Sequence, residues 1–428
     1  MKAIVRPGSM AGRLTVPGSK SHTIRAVCIA AMAEGRSAIG NPLASRDGAA
    51  AVEACRALGA KIEMAEGVWH VEGTGGRLHT PDNIIDCANS GTTLYFVTAM
   101  AATLPTWAVI TGDEQIRARP ILPLLEQLRN LGAEAFTTRG TTPPPAIVRG
   151  PLKSGTVRFD GRFSQYVSSV LLAAPLADGT VRIEVADPKE RPYLKMTVDW
   201  MTAHGIQVHY DRANYRSFEV TGPQAYQAVN EAIPSDWESV AFPLVASVIT
   251  GSTLVIEDVD VSGGQGDAAI VDVLQRMGAN LKLDAEKKTL TVEQSGKLQG
   301  VTINCSDIPD AAPILAVAGC FGRSPMRLEG LEMVRAKETD RVAVMKEEIA
   351  KMGGRVEDTH DTMTIYPAAL RGAIVASHGD HRVAMALAVA GLAAEGQTTV
   401  TDAECHDISY PGFFESMNKL GAGFVLEY

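Results

Sequence analysis

The sequence lacks most of the short motifs that identify metal and nucleotide sites. Its six cysteines show no CxxC spacing, and its nine histidines form no HExxH motif and no Cys/His cluster, so we expect no metal site. Neither a GxGxxG fingerprint nor a GxxxxGK(S/T) phosphate loop is present. Because the cysteines are scattered through a long chain without an export signal, we expect reduced, mostly buried thiols.

Long hydrophobic runs and an excess of basic residues are also missing. The N-terminal MKAIVRPGSM has no apolar core of signal-peptide length, and the apolar stretch at 95–110 is interrupted by Pro105. We therefore expect no membrane span, no secretion and a cytoplasmic location. The net charge of −9 argues against nucleic acid as a partner. An anionic ligand would need local clusters of cations that act against this overall charge.

The composition and the length are those of a globular protein with more than one domain. Hydrophobic residues make up 46% and charged residues 21% of the chain, which favours a globular over a disordered protein. At 428 residues the chain exceeds the size at which one hydrophobic core keeps growing. We therefore expect at least two domains.

One local pattern recurs six times: an amphipathic helical stretch, a glycine and then an extended segment. We expect each glycine to end its helix in the left-handed conformation. The alternation in segments such as KIEMAEGVWHVEG predicts paired strands after it. The pattern thus predicts six α/β units of roughly seventy residues. The glycines are Gly59, Gly132, Gly205, Gly278, Gly353 and Gly421, at intervals of 73, 73, 73, 75 and 68 residues.

Repeats of this length favour two compact domains over an extended array. Solenoid repeats usually have about 20–50 residues per unit, whereas longer units can gather three at a time. We place the boundary near 228–236, where NEAIPSDWES combines a turn with a new helix start. A cleft between the two domains is then the expected place for a ligand.

Two segments before apolar helices combine glycine, serine and, in one of them, cations. PGSKSHTIR, residues 17–25, contributes Lys20 and Arg25 at a helix start, where free N–H groups and hydroxyls favour an anion. NSGTT, residues 89–93, places Gly91 where the backbone could approach a ligand closely. An ordinary serine N-cap is the alternative explanation for both segments.

Carboxylates accompany the cations of the second half of the chain. If KETDR is helical, Lys337 and Arg341 lie on one face with Glu338 beside Arg341. A carboxylate among cations suits proton transfer next to an anionic substrate, but a solvated charged face is the more common explanation. DHR, residues 380–382, opens an apolar helix whose start favours anions. Its aspartate could simply be an N-cap.

Two further polar segments are less specific. Asp310 in IPDAA is expected to be an N-cap and is also a candidate base. Arg117 and Arg119 lie on a predicted loop before a helix, for which surface charge is the usual explanation. Taken singly, none of these motifs identifies a function.

In combination, the motifs resemble the EPSP (5-enolpyruvylshikimate-3-phosphate) synthase family over essentially the whole chain. PGSKS, NSGTT, the Arg-Pro loop, Ser164-Gln165, Arg191-Pro192-Tyr193, IPDA, KETDR, DHR and Ser409-Tyr410-Pro411 occur in the family's order. The resemblance implies the α/β enolpyruvyl transferase fold, a two-domain inside-out α/β barrel with six βαβαββ-type repeats, three in each domain. Domain I would comprise residues 1–19, with a first strand from the N-terminus, and 233–428. Domain II would comprise residues 20–232, with the active site in the cleft.

The same resemblance implies a reaction and a set of site residues. The enolpyruvyl (carboxyvinyl) group of phosphoenolpyruvate would pass to the 5-hydroxyl of shikimate 3-phosphate, without metal or cofactor, in a monomer. Phosphoenolpyruvate would contact Lys20, Gly91, Arg119, Gln165, Arg341 and Arg382. Shikimate 3-phosphate would contact Lys20, Ser21, Arg25, Ser164, Gln165, Tyr193, Asp310 and Lys337. Asp310 would accept the hydroxyl proton, Lys20 and Glu338 would be candidates for protonating the methylene carbon, and His381 would support that region.

Four positions depart from the family's pattern. Phe163 and Glu190 stand where serines would contact the phosphate of shikimate 3-phosphate. A carboxylate there would repel a phosphate unless it turned away or paired with a neighbouring arginine, Arg162 or Arg191. Met333 replaces an asparagine ligand, and Ile408 replaces a lysine that many members use for phosphoenolpyruvate.

Three alternatives remain beside this interpretation, and the first is motivated by the departures. An enolpyruvyl transferase for another hydroxylated ring acid fits Phe163 and Glu190. The sister enzyme that acts on uridine-diphospho-N-acetylglucosamine commonly has a cysteine before the Arg-Pro pair, whereas this chain has none between 88 and 304. A non-catalytic anion-binding protein would not need Glu338 and Asp310 beside the cations.

Overall fold

The structure is a computed structural model that describes residues 1–428, and its backbone divides into two compact units. Unit 1 consists of Met1–Pro17 and Ser235–Tyr428, and unit 2 of Gly18–Pro234. Each unit has its own hydrophobic core and three β-sheets. No helix has both the length and the apolar character that crossing a membrane requires.

The secondary structure alternates between helices and strands along the whole chain. The strands are β1 (Lys2–Val5), β2 (Ala11–Thr15), β3 (Arg36–Gly40), β4 (Lys61–Ala65), β5 (Val68–Glu72), β6 (Ile85–Asp86), β7 (Ala108–Thr111), β8 (Glu134–Thr137), β9 (Ala146–Arg149), β10 (Lys153–Phe159), β11 (Asp178–Val185), β12 (His209–Tyr210), β13 (Ser217–Gly222), β14 (Thr253–Glu257), β15 (Asn280–Asp284), β16 (Thr289–Glu293), β17 (Thr302–Asn304), β18 (Met326–Glu329), β19 (Arg355–Asp358), β20 (Thr362–Tyr366), β21 (Ile374–Ala376), β22 (Thr398–Thr401) and β23 (Val425–Glu427). The α-helices are α1 (Lys20–Met32), α2 (Arg46–Ala57), α3 (Gly91–Ala101), α4 (Leu122–Asn130), α5 (Ser164–Ala173), α6 (Arg191–Ala203), α7 (Trp237–Thr250), α8 (Ile270–Arg276), α9 (Ala312–Cys320), α10 (Arg341–Lys351), α11 (His381–Ala393) and α12 (Phe413–Lys419).

A βαβαββ repeat is complete in three places, and β6 to β9 with α3 and α4 illustrate it. The first two strands are parallel, and the last two form an antiparallel hairpin beside the second strand. The sheet order is therefore first, second, fourth and third strand. The same order occurs in β10–β13 and in β17–β20, as the periodic sequence pattern predicts.

The remaining three sheets each receive a segment from a distant part of the chain, as a strand in two sheets and as a bridged segment in the third. β2 occupies the first-strand position beside β14, and β1 occupies the fourth-strand position between β22 and β23. Residues 229–232 run along β3, where Gly40 and Ala232 form a parallel bridge. The N-terminal segment thus contributes two strands to unit 1, and not only the one that the sequence analysis expected.

The two helices of each repeat have different environments. The first helix is apolar on almost every side, as in α11, where all residues from His381 to Leu392 are buried. The second helix is amphipathic, as in α2, where Glu53 and Arg56 face solvent. A helix that is apolar all round belongs in a core, so the first helices form the centre of each unit and the N-termini of several of them carry the predicted site residues.

The helix ends and the cysteines follow the sequence predictions. All six repeat glycines have positive φ values, from 82° at Gly353 to 104° at Gly59, because they follow the last helical residue in the left-handed conformation. All six cysteines are free and buried. The paired strands that alternation predicted in KIEMAEGVWHVEG are β4 and β5.

Candidate functional site

The first predicted motif places Lys20 at the beginning of α1 in unit 2. Ser19 is the N-cap residue, but its side chain makes no capping hydrogen bond, so the motif is not an ordinary serine cap. The Lys20 ammonium lies 3.4 Å from the Asp47 carboxylate at the start of α2, and both side chains are largely buried. The predicted ligand residue Ser21 is buried beside it.

Arg25 is buried inside unit 2 and is held by neutral oxygen atoms. Its guanidinium donates to the Thr197 hydroxyl at 2.9 Å, to the Ser21 carbonyl at 2.9 Å and to the Tyr193 carbonyl at 3.2 Å. It also lies over the Phe96 ring. Burial lowers the pKa of Arg25 to about 10, since the low-dielectric surroundings disfavour the charged form.

Gly91 and Arg119 meet at the beginning of α3. The Arg119 guanidinium lies so close that a Cβ on Gly91 would be 2.6 Å from its Nη1, so any larger residue here would have to displace this guanidinium. Arg119 is buried, whereas Arg117 is exposed, which makes the surface-charge explanation wrong for Arg119. Ser90 caps the helix by accepting from the Thr93 N–H.

Ser164 and Gln165 begin α5 in the same unit. Gln165 donates to the Thr92 hydroxyl at 3.0 Å, which links it to the α3 start. Ser164 donates its backbone N–H and its hydroxyl to the Glu190 carboxylate, at 3.1 and 2.7 Å. Glu190 is 2% exposed and precedes α6. Its carboxylate therefore turns into unit 2, toward Ser164.

Three of the departures from the family's pattern are apolar side chains packed against their own unit. The Phe163 ring lies 5.0 Å from the Tyr166 ring, centroid to centroid. Met333 and Ile408 are both buried, and Ile408 packs with Ala384 and Cys405. None of the three side chains can donate a hydrogen bond to an anion.

In unit 1, Arg341 brings three carboxylates together at the beginning of α10. Its Nη1 bonds Asp310 at 2.6 Å, its Nη2 bonds Glu338 at 2.6 Å, and its Nε bonds Asp380 at 2.8 Å. Burial alone would lower the pKa of Arg341, but the charges of Asp380, Glu338 and Asp310 outweigh burial and raise it. This guanidinium is thus permanently charged and locally neutralised.

One local expectation about this region, Asp310 as an N-cap, is wrong, and the condition that KETDR is helical is not met. Asp310 lies within a 3₁₀ turn, Pro309–Ala311, and its side chain caps no helix; it pairs with Arg341 and lies 3.4 Å from the Lys337 ammonium. Residues 337–340 are not helical, because α10 begins only at Arg341 after the N-cap Asp340. Glu338 nevertheless reaches Arg341, since the turn before the helix folds back on its first residue.

The start of α11 supplies the remaining predicted residues of unit 1. Asp380 caps the helix by accepting from the N–H groups of Arg382 and Val383, while its second oxygen holds Arg341. Arg382 is fully buried and forms an ion pair with Glu238 in the first turn of α7. His381 is also buried. The predicted residues of unit 1 therefore lie at the starts of α10 and α11 and in the turn before α9.

Sequence reasoning did not identify Asp47 and Glu238 as the carboxylate partners of Lys20 and Arg382. It also missed that Asp380, besides capping α11, pairs with Arg341. Glu238 could have been found, because it is the only charged residue in the apolar helix WESVAFPLVASVIT. A lone charge in such a helix needs a buried partner. The partners of Asp47 and Asp380 lie on other elements, so no local pattern indicates them.

A separate group of metal-type ligand atoms lies at the exposed end of α10. Side-chain atoms of Glu347, Glu348 and His378 lie within 4.8 Å of one another. The Glu348 carboxylate accepts from the Lys351 ammonium and pairs with the His378 ring, each at 2.7 Å. Because an ammonium already lies in this cluster, its hydrogen bonds account for the arrangement.

Chemically, the two sets of residues differ in net charge. Unit 1 combines three cations with four carboxylates, among them Asp310 and Glu338 on opposite Nη atoms of one guanidinium. Such an arrangement can hold a proton acceptor and a proton donor side by side. Unit 2 combines three cations, Lys20, Arg25 and Arg119, with two carboxylates, Asp47 and Glu190. It also has hydroxyls and helix N-termini, which bind anions.

Comparisons with known proteins agree on one family. The sequence profile of EPSP synthase (3-phosphoshikimate 1-carboxyvinyltransferase) matches residues 4–417. Proteins named 3-phosphoshikimate 1-carboxyvinyltransferase are similar over nearly the whole chain: that of Acetivibrio thermocellus is 41% identical and 98% of each chain is covered. That of Halobacterium salinarum strain R1 is 42% identical, with 99% of each chain covered.

Solved structures show the same similarity. EPSP synthase from Acinetobacter baumannii superposes with a TM-score of 0.83 at 27% identity, covering 100% of both chains. The enolpyruvyl transferase NikO from Streptomyces tendae has a TM-score of 0.82 at 19% identity, covering 99% of this chain and 98% of its own, which shows a shared fold. The predicted enolpyruvyl transferase fold is confirmed, and the chain belongs to the EPSP synthase (3-phosphoshikimate 1-carboxyvinyltransferase) family.

Proposed function

We propose that this chain transfers the carboxyvinyl group of phosphoenolpyruvate to the 5-hydroxyl of shikimate 3-phosphate and releases phosphate. Family membership supports the reaction class. The structural observation that carries the proposal is the Arg341 guanidinium, which holds Asp310 and Glu338 on its two Nη atoms at 2.6 Å each. One carboxylate can take a proton while another group of the site gives one.

The addition step of the reaction needs two proton transfers at different atoms. We assign Asp310 as the base that takes the 5-hydroxyl proton as the oxygen bonds to C2 of phosphoenolpyruvate. Lys20 and Glu338 are the candidates for adding a proton to C3, and His381 supports that region. The tetrahedral adduct then loses a proton from the new methyl group while its C2–O bond to phosphate breaks, which restores the double bond.

The remaining assignments follow the chemistry of the residues in each unit. Charged and backbone donors stabilise the negative charge that builds up on the phosphate and carboxylate groups. For phosphoenolpyruvate we propose Lys20, Gly91, Arg119, Gln165, Arg341 and Arg382. For shikimate 3-phosphate we propose Lys20, Ser21, Arg25, Ser164, Gln165, Tyr193, Asp310 and Lys337.

We also propose two domains of three repeats each, and a monomer that works in the cytoplasm. The division of the backbone into units with three sheets each supports the domain proposal. Light scattering at working concentration would give the mass directly. A mass of 45.4 kDa is expected, and twice that mass would refute the monomer.

The function is tested by mixing the protein with phosphoenolpyruvate and shikimate 3-phosphate and measuring inorganic phosphate. We expect phosphate release that depends on both substrates, and an acceptor product heavier by one carboxyvinyl group in mass spectrometry. Parallel reactions with plain shikimate separate an enzyme for an unphosphorylated ring acid from the proposed one. Absence of release with either acceptor would refute the proposed function.

A further inference from the structure

The N-terminus of α5 carries the features of an anion site, and a carboxylate of the same chain occupies it. Ser164 is the first residue of the helix, and its N–H and hydroxyl both donate to one oxygen of Glu190. Helix N-termini attract negative charge because their first N–H groups have no partner within the helix. Glu190 therefore takes the place that an external anion would otherwise fill.

The backbone of Glu190 has an uncommon conformation at this contact. Its φ of 50° lies in the left-handed region, which is uncommon for a residue with a side chain. Its carbonyl accepts the Tyr193 N–H at 3.0 Å, which starts α6. The side chain is 2% exposed, so the carboxylate is not a surface charge that happens to face inward.

Arg25 is a buried cation of the same unit, and its hydrogen bonds to Thr197, Ser21 and Tyr193 all go to neutral oxygens. Burial lowers the pKa of Arg25, and the charges of Tyr193 and Glu190 partly oppose that effect. Glu190 thus acts electrostatically on the same guanidinium that we assign to the acceptor. A phosphate that bound at Ser164 would meet the negative charge of Glu190, whose carboxylate lies 2.7 Å from the Ser164 hydroxyl.

The hydroxyl of Ser164 has a single proton, which it donates to Glu190 in this structure. While that bond exists, Ser164 can offer a ligand only its lone pairs. A phosphate, which presents acceptor oxygens, needs donors. It must therefore displace the carboxylate from Ser164 or bind without it.

We propose that Glu190 determines the specificity of the acceptor site by competing, as an internal anion, with the phosphate of the acceptor for Ser164. This inference rests on the proposed function, since it takes the acceptor phosphate to bind at Ser164. It distinguishes Glu190 from a residue that merely starts α6. The charge of Glu190 weakens the binding of shikimate 3-phosphate and leaves the binding of acceptors without a phosphate unaffected.

The test compares Glu190→Gln with the parent protein, using shikimate 3-phosphate and plain shikimate as probes. The glutamine keeps an oxygen for Ser164 but has no charge. We expect the Kd for shikimate 3-phosphate, measured by calorimetry, to fall about tenfold, as for the loss of one repulsive charge near a dianion. The Kd for shikimate and the KM for phosphoenolpyruvate should stay unchanged.

Two further variants make the result unambiguous. Glu184→Gln is the matched control, because Glu184 is an exposed carboxylate of the same unit that pairs with Arg158. Glu190→Asn serves if the glutamine variant fails to fold, since asparagine tolerates a positive φ better. Weaker or unaltered binding of shikimate 3-phosphate by the folded variant would overturn the proposal. Calorimetry keeps this outcome separate from the proposed reaction, which fails only if the parent protein releases no phosphate.

Discussion

The two buried arginines Arg25 and Arg341 differ in the oxygen atoms that hold them. Arg25 of unit 2 donates to one hydroxyl and two carbonyls, whereas Arg341 of unit 1 donates to three carboxylates. Burial lowers the pKa of Arg25 to about 10. The carboxylates raise the pKa of Arg341 despite its burial. Burial alone thus does not decide whether the pKa of a guanidinium is raised or lowered, because the charges of its partners also contribute.

This difference indicates a division of roles. A guanidinium among neutral oxygens keeps its net positive charge and is suited to an incoming dianion such as a phosphate. A guanidinium among carboxylates is neutralised within the protein, and its geometric effect is to fix those carboxylates. We therefore propose that Arg25 serves in binding, and that Arg341, besides its proposed contact with phosphoenolpyruvate, orients Asp310 and Glu338.

The largest effect is expected from removing an acid–base group of unit 1. Glu338→Gln should lower kcat by roughly 10²–10⁴, because proton transfer by a positioned side chain contributes about that factor. Steady-state phosphate release measures it. Glu357→Gln is the control, since Glu357 also pairs with an arginine but is exposed. If Glu338→Gln turned over at nearly the parent rate, Glu338 would have no part in proton transfer.

Removing each guanidinium should cost different amounts of stability. Arg341→Met leaves Asp310, Glu338 and Asp380 without their common cation, and we expect the free energy of unfolding to fall by about 3–5 kcal/mol. Arg25→Met leaves only neutral acceptors and should cost about 1–3 kcal/mol. Urea titration measures both, with the exposed Arg355→Met as a control near zero. Equal losses in the free energy of unfolding for the two variants would show that the carboxylate partners of Arg341 make no difference to stability.

Exchanging arginine for lysine should affect different kinetic constants at the two positions. Arg25→Lys keeps the positive charge but loses the planar arrangement of N–H donors. The KM for shikimate 3-phosphate should therefore rise about 10- to 100-fold, as for the loss of one charged hydrogen bond. The KM for phosphoenolpyruvate should stay constant. Arg341→Lys should instead lower kcat, because it no longer fixes the carboxylates. Arg158→Lys on the surface of unit 2 is the control. A rise of both KM values in Arg25→Lys would argue against a specific acceptor contact.

The smallest effect concerns two carboxylate–histidine pairs. Burial would raise the pKa of Glu348 in unit 1, but hydrogen bonds from Lys351, His378 and the Ala376 N–H lower it below 4.5. A lowered carboxylate pKa stabilises the fold above the unfolded pKa, and this stability is lost as the pH falls below about 4.5. Glu348→Gln should therefore cost about 1 kcal/mol at pH 7 and pH 5, and progressively less as the pH falls below about 4.5.

The counterpart in unit 2 is Glu231, whose pKa the hydrogen bond from His204 lowers. Its side chain is half exposed, so solvent screens the pair, and Glu231→Gln should cost only a few tenths of a kcal/mol. Urea midpoints at pH 7, 5 and 4 for both variants measure the difference. A larger loss for Glu231→Gln would show that exposure does not weaken this pair.

The local parts of the fold could be predicted from the sequence, and the exchanged strands could not. Glycine after an amphipathic stretch and alternation in KIEMAEGVWHVEG are local signals, and the structure has the corresponding helix ends and hairpins. The pairing of β2 with β14 joins segments about 240 residues apart. No local pattern specifies a partner at that distance, because any strand with a free edge and an apolar face would serve.

The candidate site shows the same limit. Cations at helix starts are visible as motifs, and Arg341 with its neighbours Lys337 and Glu338 could be recognised in this way. The buried position of Arg119 and the pairing of Lys20 with Asp47 depend on packing between elements. The expected caps were only partly right, since Asp380 caps α11 and also holds Arg341, whereas Asp310 caps nothing.

The exchange of strands between distant segments has a consequence for the order in which the protein folds on the ribosome. Unit 2 is continuous from Gly18 to Pro234, so all of its strands are available when little more than half of the chain has been made. β1 and β2 emerge first, but β1 pairs with strands that end at residues 401 and 427. Domains generally fold as their sequence is completed. The residues of β1, which are synthesised first, are therefore among the last to pair with their neighbouring strands.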